Sequence, residues 1–153
     1  MSSGYPHSVR AYSKANHTVS KTRQVVMLYD GVIRFMQQAK NAMETNDISE
    51  RFEKLKSSGE IVVGLQTCLD FNSGGTTAQA LFDFYRSLDT RIMALHRNNN
   101  VEQCDAIIAD VKEMRDVWDR IDRGQMSASE FSAATSDVAQ SSAIAAGALT
   151  VSA

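Results

Sequence analysis

Four stretches of the chain place apolar residues three or four positions apart, which is the spacing of one face of an α-helix. The pattern predicts helices over residues 20–44, 48–71, 77–97 and 101–123. The connections between them are short, so neighbouring helices should run antiparallel. The sequence therefore predicts an all-α fold, an antiparallel up-down-up-down four-helix bundle over residues 20–123.

Turn and capping residues separate the predicted helices. Ser20 is a good N-cap for the first helix, and Asn46 or Asp47 can cap the second. The Asn-Ser-Gly-Gly run at 72–75 predicts a break, and Gly124 is a natural residue just beyond a helix end. The apolar stripe of the first helix is Val25, Leu28, Val32, Met36, Ala39 and Met43, and that of the second is Ile48, Phe52, Leu55, Gly59, Val62, Gln66 and Leu69.

The two ends of the chain differ from its middle. Residues 1–19 contain a glycine, a proline and several serines, so we expect a flexible N-terminal arm. Residues 124–153 hold nine alanines and seven serines, which favours a disordered or loosely held tail, with a weak fifth helix over 128–147 as the alternative. A further hypothesis is that sparse anchors such as Phe131 and Ile144 fold this tail into a groove of the bundle as an autoinhibitor.

Composition narrows the expected compartment and partners. The net charge is −2 and the basic excess is confined to residues 1–40, so no nucleic-acid surface is predicted. No run approaches eighteen apolar residues, so we expect no stable membrane insertion, and no apolar secretion signal is visible. The two cysteines, Cys68 and Cys104, fit a reducing cytoplasm better than a disulfide scaffold.

The sequence predicts no catalytic residue, metal site or cofactor, and therefore no enzyme. The three histidines lack the preceding glutamate that a di-iron bundle requires, and no zinc, haem or phosphate-binding motif is present. Regularly spaced acids on the fourth helix alternate with Lys and Arg, which is typical of a solvated, ion-paired face. These acids are Asp110, Glu113, Asp116, Asp119 and Asp122.

An alternative interpretation is a signalling or adaptor bundle. Histidine phosphotransfer domains are also four-helix bundles, and His96 would be the phosphoacceptor. Their histidine lies mid-helix with a lysine and a glycine three and four residues later, where this chain has Asn99 and Asn100. The sequence favours an exposed histidine near a helix C-terminus, where a cation is mildly stabilised.

Five short motifs, in chain order, resemble those of one known family. Residues 27–36 read Met-Leu-Tyr-Asp-Gly-Val-Ile-Arg-Phe-Met, which closely resembles the Leu-Tyr-Asp-Gly signature of the flagellar secretion chaperone FliS family. The other motifs are Ala11-Tyr12, Asn46-Asp47-Ile48, Leu69-Asp70-Phe71 with Gly74-Gly75, and Asp116-Val117-Trp118-Asp119-Arg120-Ile121. The chain departs from the family at Ser20-Lys21 and Arg23, where Ser/Thr-Pro and a glutamate are usual, and in its tail.

The resemblance implies a cytoplasmic export chaperone. Such proteins bind the disordered C-terminal segment of flagellin, prevent its premature polymerisation and help deliver it to the flagellar export apparatus. An apolar groove can cover the apolar face of such a segment, and methionines are soft enough to fit it, although core filling explains each methionine individually.

The resemblance also implies which residues meet the partner. The N-terminal arm would plug part of the groove until flagellin displaces it, with Tyr12 and Val9 as the plug. The signature residues Tyr29 and Asp30 would shape the receiving surface, unless Tyr29 is a core-edge residue and Asp30 bonds to nearby backbone. The candidate partner-binding residues are Val9, Tyr12, Leu28, Tyr29, Asp30 and Ile33.

Overall fold

A computed structural model describes residues 19–151, and all regular secondary structure in that range is helical. Its helices are α1 (Lys21–Glu44), α2 (Ile48–Thr67), α3 (Phe71–Arg97), α4 (Val101–Asp122) and α5 (Ala128–Val151). The all-α class is confirmed. The described chain has five helices, so the predicted four-helix bundle is not confirmed. The predicted arm lies outside the described residues except at its last position.

The turn between α1 and α2 shows how closely the predicted capping residues set the helix ends. Asn46 adopts a positive φ of 55°, and the Asp47 N–H donates to the Ala42 carbonyl at 2.8 Å. The Asp47 carboxylate then accepts from the Glu50 N–H at 3.0 Å. One residue therefore closes α1 and caps α2.

The break between the second and third helices falls earlier in the chain than the sequence predicts. Helix α2 ends at Thr67, and α3 begins at Phe71 behind an Asp70 N-cap. The predicted break at residues 72–75 lies inside α3, where it is a kink at Gly75, whose φ of 54° and ψ of −132° are not helical. Gly124 follows α4 with a φ of 69°, as the sequence predicts.

The helices pack in a defined set of pairs around one core. Helix α2 packs against α1 and α3, α1 also packs against α4, and α5 packs against α3 and α4. At the centre, the Tyr29 hydroxyl donates to the Tyr85 hydroxyl at 2.8 Å, and both residues are 1% exposed. Burial raises the pKa of both phenols, so each remains a neutral hydrogen-bonding group.

The C-terminal segment forms α5 in place of the expected loose tail. Its inward positions are mostly small or hydroxyl-bearing: Thr135, Val138, Ala139, Ser142 and Ala146 are all buried. Small residues let a helix approach its neighbours closely, so a low content of large apolar side chains misled the sequence interpretation. A capping box also defines its start, because Ser127 Oγ accepts from the Glu130 N–H at 3.2 Å and Glu130 Oε1 accepts from the Ser127 N–H.

Polar contacts join the start of α1 to the end of α4. Asp122 accepts hydrogen bonds from Ser20 Oγ and Thr22 Oγ1, and Arg23 bridges Asp122 and Asp119. The chain departs at Arg23 from the motif that it resembles, which usually has a capping glutamate there. Arg23 forms ion pairs with carboxylates of α4 instead. The hydroxyl donors lead among the causes that lower the pKa of Asp122 to about 2, followed by Arg23.

The Asp122 contacts predict a specific pH dependence. The pKa of Asp122 in the folded chain is about 2, below its ordinary value of 3.8, so the contacts stabilise the fold fully above about pH 4. The stabilisation should be lost as the pH falls from about 4 through about 2. Asp122→Asn should therefore unfold at lower urea concentration than the wild type at pH 7, and the difference should shrink below pH 4.

Asp116→Asn is the matched control for that experiment. Asp116 also lies on α4, but its side chain is 70% exposed and 3.5 Å from Arg115. This substitution should change stability little at any pH. A pH-independent deficit for Asp122→Asn would contradict the assigned role of the carboxylate.

The tyrosine pair predicts non-additive stability effects. Tyr29→Phe leaves the Tyr85 hydroxyl buried without its partner, and Tyr85→Phe does the reverse, so each should cost about 1–3 kcal/mol. The double substitution removes both polar groups and should cost less than the sum. Urea unfolding of the four variants measures this cycle, and strictly additive costs would rule out the coupling.

Candidate functional site

An apolar groove runs along each flank of α2. The first, which we call the α2/α3 groove, has a volume of about 680 Å³. Its floor includes the buried Leu55 and Ile92, whereas Phe52, Val63 and Met93 are about half exposed along it. Its remaining lining residues are Lys56, Gly59, Glu60, Asp89 and His96.

The second groove lies between α1 and α2 and has a volume of about 870 Å³. We call it the α1/α2 groove. Leu28 is 44% exposed on its α1 side, and Ile61 and Leu65 contribute its α2 side. Its other lining residues are Lys21, Gln24, Val25, Phe35, Ser57, Glu60, Gly64 and Cys68. Glu60 lines both grooves, so α2 forms the ridge between them.

Glycines on α2 keep both grooves open. A Cβ atom added at Gly59 in the α2/α3 groove, or at Gly64 in the α1/α2 groove, would meet no other atom within 4 Å. The opposite holds beneath the second groove, where a Cβ at Gly31 would lie 3.1 Å from Ile61 Cδ1. Gly31 therefore permits close packing of α1 on α2, while Gly59 and Gly64 leave open space in the grooves.

The candidate partner-binding residues occupy different environments. Leu28 lies on the α1/α2 groove, and Ile33 is partly buried against the core. Tyr29 is a central core residue and not a core-edge residue, and its contribution to a receiving surface stays a prediction. Asp30 is exposed and accepts a hydrogen bond from Arg115 Nε at 2.9 Å, a side-chain partner on α4 and not nearby backbone.

The predicted plug residues, Val9 and Tyr12, lie outside the described residues. Their position relative to the grooves therefore stays a prediction. The described chain begins beside the α1/α2 groove, because Lys21, one residue after the Ser20 cap, lines it.

Sequence periodicity missed most of the groove residues. It assigned Ile48 and Phe52 to the α2 stripe, but these side chains are 70% and 50% exposed. Val63 received no role and Met93 was noted only as one of the soft methionines, although both lie on the α2/α3 groove. The available signal was an apolar α2 surface wider than its buried stripe, because half-exposed apolar residues such as Phe52 and Val63 stand beside that stripe.

The methionines divide between core and surface. Met36, Met43 and Met114 are buried in the core, as the simpler explanation required. Met93 is 54% exposed on the α2/α3 groove, and Met27 is 60% exposed on α1. Of these five methionines, Met93 is therefore the one that lines a groove and could provide the predicted soft contact.

His96 is part of the α2/α3 groove and is not the freely exposed histidine that the sequence predicted. Its ring packs edge-on against Phe52, with centroids 5.4 Å apart, and partial burial lowers its pKa. The positions that would assist a phosphoacceptor serve the fold, since Asn99 donates to the Met43 carbonyl and Asn100 caps α4. No feature of this arrangement favours phosphotransfer.

The described residues offer surfaces rather than a reactive centre. Within residues 19–151, no cluster of His, Cys, Asp or Glu side chains could hold a metal ion. Acids of α4 pair with basic residues within the helix, as Asp119 does with Arg123, but also across helices, as Asp119 does with Arg23. None of the helices from α1 to α5 is long and apolar enough to cross a membrane.

Comparison with known proteins agrees with the motifs. The chain is 29% identical over 119 residues to the flagellar secretion chaperone FliS of Vibrio cholerae, covering 74% of this chain and 88% of that protein. It is 28% identical to FliS of Campylobacter jejuni, covering 71% and 85%, and 28% identical to FliSB of Pseudomonas aeruginosa, covering 65% and 79%.

The model of the family described as flagellar protein FliS matches residues 6–125, which is most of the chain and includes α1 to α4. This chain therefore belongs to the FliS family, a family of chaperones and not of enzymes.

Proposed function

We propose that this protein is a cytoplasmic export chaperone that binds the disordered C-terminal segment of flagellin. By covering that segment it prevents premature polymerisation and helps deliver flagellin to the flagellar export apparatus. Membership of a family whose relatives are flagellar secretion chaperones supports the general role. The observation that carries the specific proposal is the pair of open apolar grooves along α2.

The grooves have the chemistry that a helical guest requires. Phe52, Val63 and Met93 present half-exposed apolar surface in one groove, and Leu28 does so in the other. A segment with apolar residues at helical spacing could bury its face against these side chains. At roughly 25 cal/mol per Å² of apolar area removed from water, that burial supplies the driving force for ordering the guest.

The charges along the grooves are mixed and lie at their edges. Lys56 and Asp89 accompany the α2/α3 groove, Lys21 accompanies the α1/α2 groove, and Glu60 stands between them. Edge charges can fix the orientation of a guest, whereas the apolar centre provides most of the affinity. This arrangement suits a segment with an apolar face and polar flanks.

The N-terminal arm completes the proposal. Lys21 lines the α1/α2 groove, so the chain that precedes α1 joins the folded body at that groove. The arm can then occupy part of the groove through Tyr12 and Val9 in the free protein. An incoming flagellin segment displaces it, which keeps the apolar surface covered until a guest is available.

Filling the glycine gaps tests the groove assignment. Gly64→Glu and Gly59→Glu each add a carboxylate to a groove, and the fold tolerates them because the added Cβ would meet no other atom within 4 Å. A bound guest would bury that charge without a partner. Isothermal titration with a peptide of the flagellin C-terminal segment should therefore show affinity at least about tenfold weaker than wild type for one or both variants.

Gly147→Glu is the matched control. Gly147 lies on α5, away from both grooves, and also has no atom within 4 Å of an added Cβ. Its affinity should equal that of the wild type, and thermal unfolding should show all three variants folded. Equal affinity in all variants would refute the groove site, and no binding by the wild type would refute the proposed function.

Deleting residues 1–18 tests the arm. If the arm competes with the guest, the shortened chain should bind the flagellin peptide more tightly than the full chain, or equally tightly if the plug is weakly held. Titration of both chains under one set of conditions measures the difference. Weaker binding by the shortened chain would show that the arm contributes to the site and does not block it.

A further inference from the structure

Helix α5 lies in a cleft built by the family-matched part of the chain. It packs against both α3 and α4, whereas the family match ends at residue 125 and α5 begins at Ala128. We call its seat the α3/α4 cleft. The walls of the cleft therefore lie within the family-matched residues, and α5 lies beyond them.

Polar groups in the cleft form a chain of hydrogen bonds that passes through one α5 residue, Ser142. Arg91 of α3 is 4% exposed, pairs with Asp110 of α4 at 2.6 Å and donates to Ser142 Oγ at 2.9 Å. Ser142 lies 2.5 Å from Ser87 Oγ, which itself donates to the Phe84 carbonyl. Ser142 must then donate to Ser87, so its hydroxyl is required as both acceptor and donor.

This chain of hydrogen bonds defines what the cleft accepts. A helix without a hydroxyl at the Ser142 position would leave Arg91 with Asp110 as its one partner and the buried Ser87 oxygen without a donor, which is costly. Elsewhere the contact positions of α5 are small, such as Ala139 and Ala146, with Phe131 set edge-on against Trp118 at 4.9 Å. The cleft thus fits a helix of small residues with one central serine or threonine.

Helix α5 is held by less apolar surface than the other helices. Val138 is its large aliphatic side chain in the core cluster, supported by the partly buried Phe131. Helices α1 and α3, by contrast, bury tyrosine, methionine, leucine and phenylalanine side chains completely. Local unfolding occurs most readily in the elements with the fewest buried apolar contacts. Undocking of α5 should therefore have the lowest free-energy cost among the five helices.

We propose that the α3/α4 cleft is a third helix-receiving surface, which α5 fills in the free chain and from which a guest helix of the same chemistry displaces it. The guest is a segment with small residues along one face and a serine or threonine opposite Arg91. This inference rests on the proposed function for the identity of the guest, but the cleft and its exchange can be tested without flagellin.

The first test uses a fluorescent peptide of residues 126–153 added to the full chain. Val138→Ala removes buried contacts of α5 in the chain and leaves the cleft walls unchanged, so the wild-type peptide should bind this variant about tenfold more tightly. Ile144→Ala is the matched control, because Ile144 is 75% exposed and its loss should not loosen α5. Equal anisotropy curves for the two variants would overturn the proposal.

The second test locks the cleft. The Ser87 and Ser142 hydroxyls are 2.5 Å apart, so Ser87→Cys with Ser142→Cys places two thiols within bonding range in a Cys68→Ser background. The buried Cys104 thiol has its pKa raised to about 11 and stays protonated. The oxidised chain should bind no α5 peptide, and reduction of the same sample should restore binding. Binding to the oxidised chain would refute exchange at this cleft.

The flagellin peptide then separates the two proposals. It should bind the oxidised chain about tenfold more weakly than the reduced chain if displacing α5 adds a contact surface. Equal binding in both states would overturn the third surface and leave the grooves as the site. Absence of flagellin-peptide binding in both states would refute the proposed function. Binding of the α5 peptide would still test the cleft separately.

Discussion

Helix α2 is held along one narrow stripe, and the surfaces available for binding follow from that restraint. Leu55 and Val62 are completely buried, yet Phe52 and Val63 on the α3 side of the same helix are about half exposed, and Ile61 on its α1 side is only partly buried. An additional helix packed over α2 would cover both grooves. The packing partners of α2 are α1 and α3, so the exposed flanks persist as a property of the fold.

Exposed apolar surface is tolerable when the body beneath it is rigid. The paired tyrosines at the centre and the Asp122 contacts between α1 and α4 both fix helices that form groove walls or support them. Gly31 adds close contact between α1 and α2. The grooves are therefore preformed, and they are accessible without any opening of the core.

Much of the fold could be predicted from the sequence, because helix periodicity and capping are local. Ser20, Asp47 and Gly124 act where the pattern placed them. The fifth helix could not be predicted with the same certainty, since its burial comes from close approach and from the hydrogen bonds of Ser142, which involve residues distant in sequence. The groove residues could not be predicted for a related reason. Periodicity finds an apolar face of α2 but does not tell which part of it another helix covers. Phe52 belongs to the predicted stripe and is nevertheless 50% exposed.

The edge-on contact of Trp118 with Phe131 gives the chain a built-in optical property. Trp118 is the only tryptophan in the sequence, and it stands where α4 meets α5. Its emission wavelength depends on the polarity around the indole ring, and undocking of Phe131 would admit water to that ring. The emission wavelength of Trp118 should therefore report whether α5 is docked, without an attached dye or a substitution.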